Sequence, residues 1–243
     1  MSNYVQQQNA GDIIRNAFAI YGKAFGVILL TFILPVFPFL ILQLAPETAH
    51  DKTLYSVGFL VSLGLSFFAL GAITIAVSDI CLGNKPSVVR SYKKLFGSII
   101  GKLFLACWLQ TFIIEIGCLL LCVPGVIWAL WLLFTSPVVV LEGLGPWKAF
   151  KRSKDIARDY NWRNFGVLLL IIIILIVVFM VLGVPLHLLL PKAIDDLGVR
   201  LFIVVFESVS APLIYIAVVL LYYDLRVRKE AYDAAALAED LRR

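Results

Sequence analysis

The sequence predicts an all-α integral membrane protein: six transmembrane helices paired as three hairpins, each preceded by a cytoplasmic amphipathic elbow helix. Three observations lead there. Of 243 residues, 61% are apolar and 15% charged, whereas an ordinary soluble domain carries about a quarter charged residues, so a water-facing surface cannot be built from this inventory. The apolar residues are gathered into long runs. All of the 21 Lys and Arg except Lys52, Lys192 and Arg200 fall in segments on one side of those runs.

A helix needs about 20 apolar residues to cross about 30 Å of hydrocarbon, because lipid offers its backbone no hydrogen-bond partner. Gly26 to Leu44 carries no charge and forms span one, with Pro35 and Pro38 expected to kink its outer half. Leu54 to Ser78 forms span two, where Gly58, Ser62 and Ser66 recur every four residues and mark a face open to close helix approach, as an internal seam or a dimer face. Leu103 to Leu141 holds one charge, Glu115. As one helix, at about 1.5 Å per residue, it would be nearly twice the thickness of the membrane, so it must turn back. Pro124-Gly125 is the strong breaker near its middle, and the hairpin between spans three and four is placed there. Phe165 to Leu190 gives span five and Leu201 to Tyr223 span six.

The chain then reads as one membrane domain, 1–243. It comprises an amphipathic segment (1–25), a bundle (26–223) and a cytoplasmic C-terminal helix (224–243). That tail alternates charge among Ala and Leu, which suits a solvated helix or a partner-docking one. The N-terminus, 79–102, 142–163 and the tail share the basic side, which places both ends in the cytoplasm. Asp12, Arg15 and Lys23, no small-residue cleavage site and the length of the following run argue against a cleaved signal peptide.

Each outgoing span follows a basic amphipathic stretch: DIIRNAFAIYGKAF, SVVRSYKKLFGSII and GPWKAFKRSKDIARDYNW. Those spans then reach Pro35, Pro124 and Pro185. Ile13, Ile14, Ala17, Phe18, Tyr21 and Phe25 share one helical face. Val88, Val89, Tyr92, Phe96 and Ile99 share the second, and Trp147, Phe150, Ala157 and Tyr160 the third. Helices of this kind are expected to lie in the headgroup layer. Each returning span ends in an acid, Asp79, Glu142 or Asp224, and ion pairs with Arg15, Arg90 or Arg152 are expected to hold elbows to hairpins.

The chemical inventory is thin. His50 and His187 stand apart from any ligand cluster, and Cys107, Cys118 and Cys122 sit in apolar runs as small hydrophobes. No catalytic, Walker or dinucleotide motif occurs, so no enzyme activity, metal or cofactor is expected. The net charge of +5 lies between apolar runs, favouring a membrane surface over nucleic acid. Glu115 and Glu207 are anomalous inside spans. With Gln110, Ser208 and Ser210 they form either a substrate, ion or proton site, or hydrogen-bonded groups joining helices three and six. Lys148, Lys151, Arg152, Lys154, Arg158 and Arg163, with Trp147 and Trp162, form a candidate surface for anionic phospholipid headgroups or a protein partner, a second copy included.

Two stretches together resemble a known family: VPGVIWALWLLFTSPVVVLEGLGPWKAFKRSKDIARDYNWRNFG and LLYYDLRVRKEAYD. They are similar to the membrane domains of glycerophosphoryl diester phosphodiesterases and related bacterial membrane proteins. The matching positions are Pro124, Gly125, Pro137, Glu142, Ala149, Arg152, Ser153, Trp162, Arg163, Tyr222, Tyr223, Asp224, Leu225, Arg226, Arg228 and Glu230. The resemblance implies a multi-pass protein of the bacterial inner membrane. In the two-part enzymes hydrolysis belongs to a separate soluble barrel, whose acidic, histidine and metal-binding residues are absent here, so activity is not carried over. The expected function is a non-enzymatic membrane protein that engages anionic lipids or organises a membrane-bound partner. The alternatives are a small transporter or channel subunit built on Glu115 and Glu207, and an accessory module of lipid-headgroup or glycerophosphodiester metabolism.

Overall fold

The computed structural model describes the backbone of residues 4–44, 52–97, 99–120, 122–189 and 192–242, with side chains except at 39, 42, 52–64, 122, 187, 189 and 192–196. His50 and the Glu47–Asp51 loop lie outside the described residues, as do the side chains of Gly58, Ser62, Cys122 and His187. Among the described residues there is no strand. The helices are α1 (Ala10–Lys23), α2 (Phe25–Leu44), α3 (Lys52–Cys81), α4 (Val88–Leu95), α5 (Ile100–Leu120), α6 (Cys122–Trp131), α7 (Thr135–Glu142), α8 (Pro146–Ala157), α9 (Asn161–Leu189), α10 (Lys192–Glu230) and α11 (Ala234–Asp240).

Among the described residues four helical stretches are long and apolar enough to cross a membrane: Ile100–Leu120, Val123–Glu142, Pro146–Leu186 and Leu197–Glu230. A fifth arises if α1 and the first part of α2, which meet at 86°, count as one bent span. Among the described residues the protein is therefore all-helical, with four to five apolar helices able to span a membrane.

The helix α10 is the spine, packing against α1, α2, α3, α8 and α9. Its Ile216, Ala217, Val219, Leu220, Leu221, Tyr222 and Tyr223 are fully buried. Ile13, Ala17 and Ile20 of α1, Ile28 of α2, Ala72 and Ile73 of α3, and Val138 to Leu141 of α7 belong to the same buried cluster. The first elbow is packed on protein along its length. The Gln8 amide meets Asp224 while Tyr21 Oη donates to the Val209 carbonyl at 2.8 Å, two points about 22 Å apart along a helix.

Several elements differ from expectation. Pro124 and Gly125 stand in the first turn of α6 rather than in a loop between spans three and four. Proline is accommodated there because first-turn amides have no intrahelical partner to lose. Span four is broken at Leu132–Phe134, since Pro137 places its missing amide in the first turn of the new helix α7. The second elbow turns Ser91 and Leu95 inward and leaves Val89 and Phe96 exposed, splitting its predicted apolar face. The third elbow is no sharp bend: α8 passes through one 3-10 turn, Arg158–Tyr160, into α9, so that Pro146–Leu186 forms one helix of 41 residues. The tail is no single helix either. It ends at Glu230, turns through Ala231 at φ 50°, and restarts at Asp233, whose carboxylate accepts from the Ala236 amide at 2.8 Å.

Candidate functional site

The polar chemistry gathers where α7 closes, α8 leads into α9 and α10 ends. Glu142 closes α7, and Gly143 follows at φ 67°, a left-handed turn that suits glycine. One Glu142 oxygen accepts from Tyr222 Oη at 2.8 Å and the other from Arg152 Nε at 2.9 Å. The Arg152 guanidinium also pairs with Glu230, which accepts from Arg226 Nε at 3.0 Å. Arg226 in turn donates to Asp240 at 2.8 Å and lies 3.7 Å over the Tyr232 ring, while Tyr232 Oη donates to the same carboxylate at 2.7 Å. This chain of alternating charges ties α7, α8, α10 and α11 together. Its charge-assisted bonds are the strong ones.

Burial acts downward on the Arg152 guanidinium, but the bonds to Glu230 and Glu142 outweigh it and raise its pKa. Glu230, the last residue of α10 and seven past the predicted end of span six at Tyr223, shows the reverse. Burial pushes its carboxyl up, and the bonds from Arg152 and Arg226 overcome this and hold it below the ordinary value of 4.5.

A second knot surrounds Asp224, which is fully buried. It accepts from Arg163 Nη1 at 2.6 Å, Arg228 Nε at 3.0 Å and the Gln8 amide at 2.6 Å, and both arginines also donate to the Gln8 carbonyl. Asp79, also buried, sits 3.4 Å from Arg90. Two of the three expected acid–elbow pairs thus form, at Arg90 and Arg152. Arg15 does not join Asp224: with Ile13, Ala17 and Ile20 turned inward, Arg15 faces outward and pairs with Asp12 at 2.9 Å.

The candidate lipid surface divides by residue type. Arg152 and Arg163 are consumed in the knots, whereas Lys148, Lys151, Lys154 and Arg158 form no ion pair among the described residues. Lys154 Nζ stands 4.0 Å over the Trp131 ring, a cation–π contact. Trp131 is a wall between two hollows. One, of about 540 Å³, is lined by Val123, Val126, Ile127, Leu130, Asn161, Trp162 and Phe165. The other, of about 350 Å³, is lined by Ile113, Trp128, Leu132, Trp147, Phe150, Lys151 and Lys154. Ser153 fixes the wall from behind, donating to the Trp131 carbonyl at 2.7 Å and accepting from the Phe134 amide at 3.1 Å, which satisfies the break between α6 and α7.

The polar residues inside the apolar helices do not gather. Glu115 and Glu207 are exposed on the outsides of α5 and α10, and neither lines either hollow. Gln110 is half-buried. Ser208 is buried and spends its hydroxyl on the Val204 carbonyl at 2.7 Å, and Ser210 reaches the Glu207 carbonyl at 3.4 Å. Cys107 is buried and Cys118 exposed. Among the described residues no three His, Cys, Asp or Glu side chains gather as a metal site.

Sequence reasoning missed Gln8, Trp131, Asn161, Tyr232 and Asp240. Trp128 and Trp131, three apart, were a local signal for an aromatic helix face. Gln8 and Asp240 carried none, because their partners lie 216 and 14 residues away.

No curated protein and no solved structure matches the chain. Residues 52–225 match the family described as Domain of unknown function (DUF7847). That stretch is well over half of the 243 residues, and the chain belongs to this family.

Proposed function

We propose that this protein is a non-enzymatic, multi-pass protein of the bacterial inner membrane whose cytoplasmic face engages anionic lipids through α8. The carrying observation is the sorting of its cations. The arginines that hold the helices together are tied to acids, while Lys148, Lys151 and Lys154 of α8 form no ion pair among the described residues. Trp147 and Trp162, 72% and 87% exposed, flank them, as aromatic residues do at a membrane interface. A lysine ammonium on a flexible stem suits a headgroup phosphate, whereas planar arginine suits the fixed carboxylates.

The test is native mass spectrometry of the purified protein with equal phosphatidylglycerol and phosphatidylcholine. Phosphatidylglycerol is expected to be enriched, and Lys148→Gln with Lys151→Gln and Lys154→Gln to abolish the preference. Equal retention of both lipids by the unaltered protein sinks the reading. The accompanying topology is six spans with both ends in the cytoplasm. A reporter inserted between Leu120 and Cys122 is then expected on the outer side, and a cytoplasmic signal would require a redrawn path.

A further inference from the structure

We propose that one anionic glycerophospholipid docks astride Trp131, with its phosphate at Lys151 and Lys154 and an acyl chain in the groove between α6 and the start of α9. This rests on the lipid-engaging reading above and makes it a defined site.

The groove is amphipathic along its length. At one end stand Trp131 and Asn161, and in the orientation that satisfies it the Asn161 amide donates to the Ala157 carbonyl at 3.0 Å and accepts from Trp131 Nε1 at 3.1 Å. From there the lining runs through Leu130, Ile127 and Val126 to Val123, about 12 Å of helix rise with no charged group. Lipid-facing protein can leave such a trough empty of protein only if lipid fills it. Between Val123 and Leu130 the lining is wholly apolar, so a hydrocarbon chain is the occupant it suits.

The polar end selects the headgroup. Lys151 and Lys154, three apart on one face of α8, border the second hollow across Trp131 and have no acid paired to them among the described residues. The wall between the hollows is fixed on three sides: Lys154 over its face, Asn161 at its indole nitrogen and Ser153 at its carbonyl. A phosphate placed at the two ammonium groups leaves its glycerol at the rim and its chain directed down the groove. Charge and shape therefore call for the same molecule, a phospholipid with net negative charge.

The experiment uses the full chain in detergent with phosphatidylglycerol and phosphatidylcholine, and native mass spectrometry under rising collisional activation. One phosphatidylglycerol is expected to outlast all others. Val126→Phe with Leu130→Phe fills the groove and keeps every lysine. It is expected to lose that last lipid while still enriching phosphatidylglycerol over phosphatidylcholine. Survival of the tight lipid in the filled variant overturns the groove and leaves the lysine reading standing; absence of any phosphatidylglycerol preference in the unaltered protein overturns both. A second readout needs no filled variant. Phosphatidylglycerol brominated on its acyl chain is expected to quench Trp131 fluorescence, measured as the difference from Trp131→Phe, and to saturate at one lipid per protein. No such difference overturns the site.

Discussion

At the scale of single residues the distinction that matters is between carboxylates that hold helices and carboxylates that decorate them. Asp224 is fully buried and accepts from two arginines and a backbone amide. Asp224→Asn strands both guanidinium groups and is expected to cost roughly 3–5 kcal/mol, read by denaturant unfolding in detergent. Asp12, paired with an outward Arg15, is expected to change stability by less than about 0.5 kcal/mol as Asp12→Asn. Glu230 adds a pH signature. Its carboxyl is held below the usual 4.5, so its stabilisation is complete above that value and is lost as pH falls through the depressed one. Melting temperature is expected to be level above pH about 5 and to decline below about 4.5, and Glu230→Gln to flatten the decline. The acids Asp79, Glu142 and Asp224 were legible in the sequence because each ends an apolar run just where basic residues begin. Their partners were legible only when the arginine was close in the chain. Glu115 and Glu207 drew notice by being charged inside apolar runs, a one-dimensional signal that is silent about which side of a helix they occupy.

At the scale of elements, the α5–α6 hairpin depends on two glycines. A Cβ at Gly125 would stand 2.7 Å from the Cys118 amide nitrogen, and one at Gly117 2.9 Å from the Gly125 Cα, both backbone atoms that cannot step aside. Gly71 differs: a Cβ there meets only the methyl groups of Leu103 and Leu95. Gly125→Ala is therefore expected to destabilise by more than Gly71→Ala, whose cost of about 1–3 kcal/mol is that of an overpacked core; paired thermal melts check the order. The same hairpin shows what element-level reading misses. Length alone showed that Leu103 to Leu141 had to turn. Proline marked the neighbourhood of that turn and not its apex, because a helix start tolerates proline as readily as a loop does. The break before α7 was hidden for a related reason: Pro137 was taken with its span, while the serine that satisfies the open backbone, Ser153, sits on the next helix.

At the scale of the whole molecule, hydrophobic run length carried the all-helical fold with helices able to span a membrane, since lipid permits few alternatives. What it could not carry is closure, which depends on contacts between distant segments. Removing 231–243 takes Asp240 and Tyr232 from Arg226 and the Leu241 carbonyl from Lys94. The truncated chain is expected to insert normally yet lose at least about 3 kcal/mol, since two bonds to charged groups go at roughly 1.5–3 kcal/mol each, seen as a lower melting temperature at unchanged membrane yield. The Asp224 knot has a consequence in time. Gln8 and its partner Asp224 are 216 residues apart, which at about 5–20 residues per second is roughly 10–40 s of synthesis. Until α10 has been made, Gln8 and Arg163 have no carboxylate between them, so this corner of the bundle stays open and closes in one step when Asp224 and Arg228 arrive.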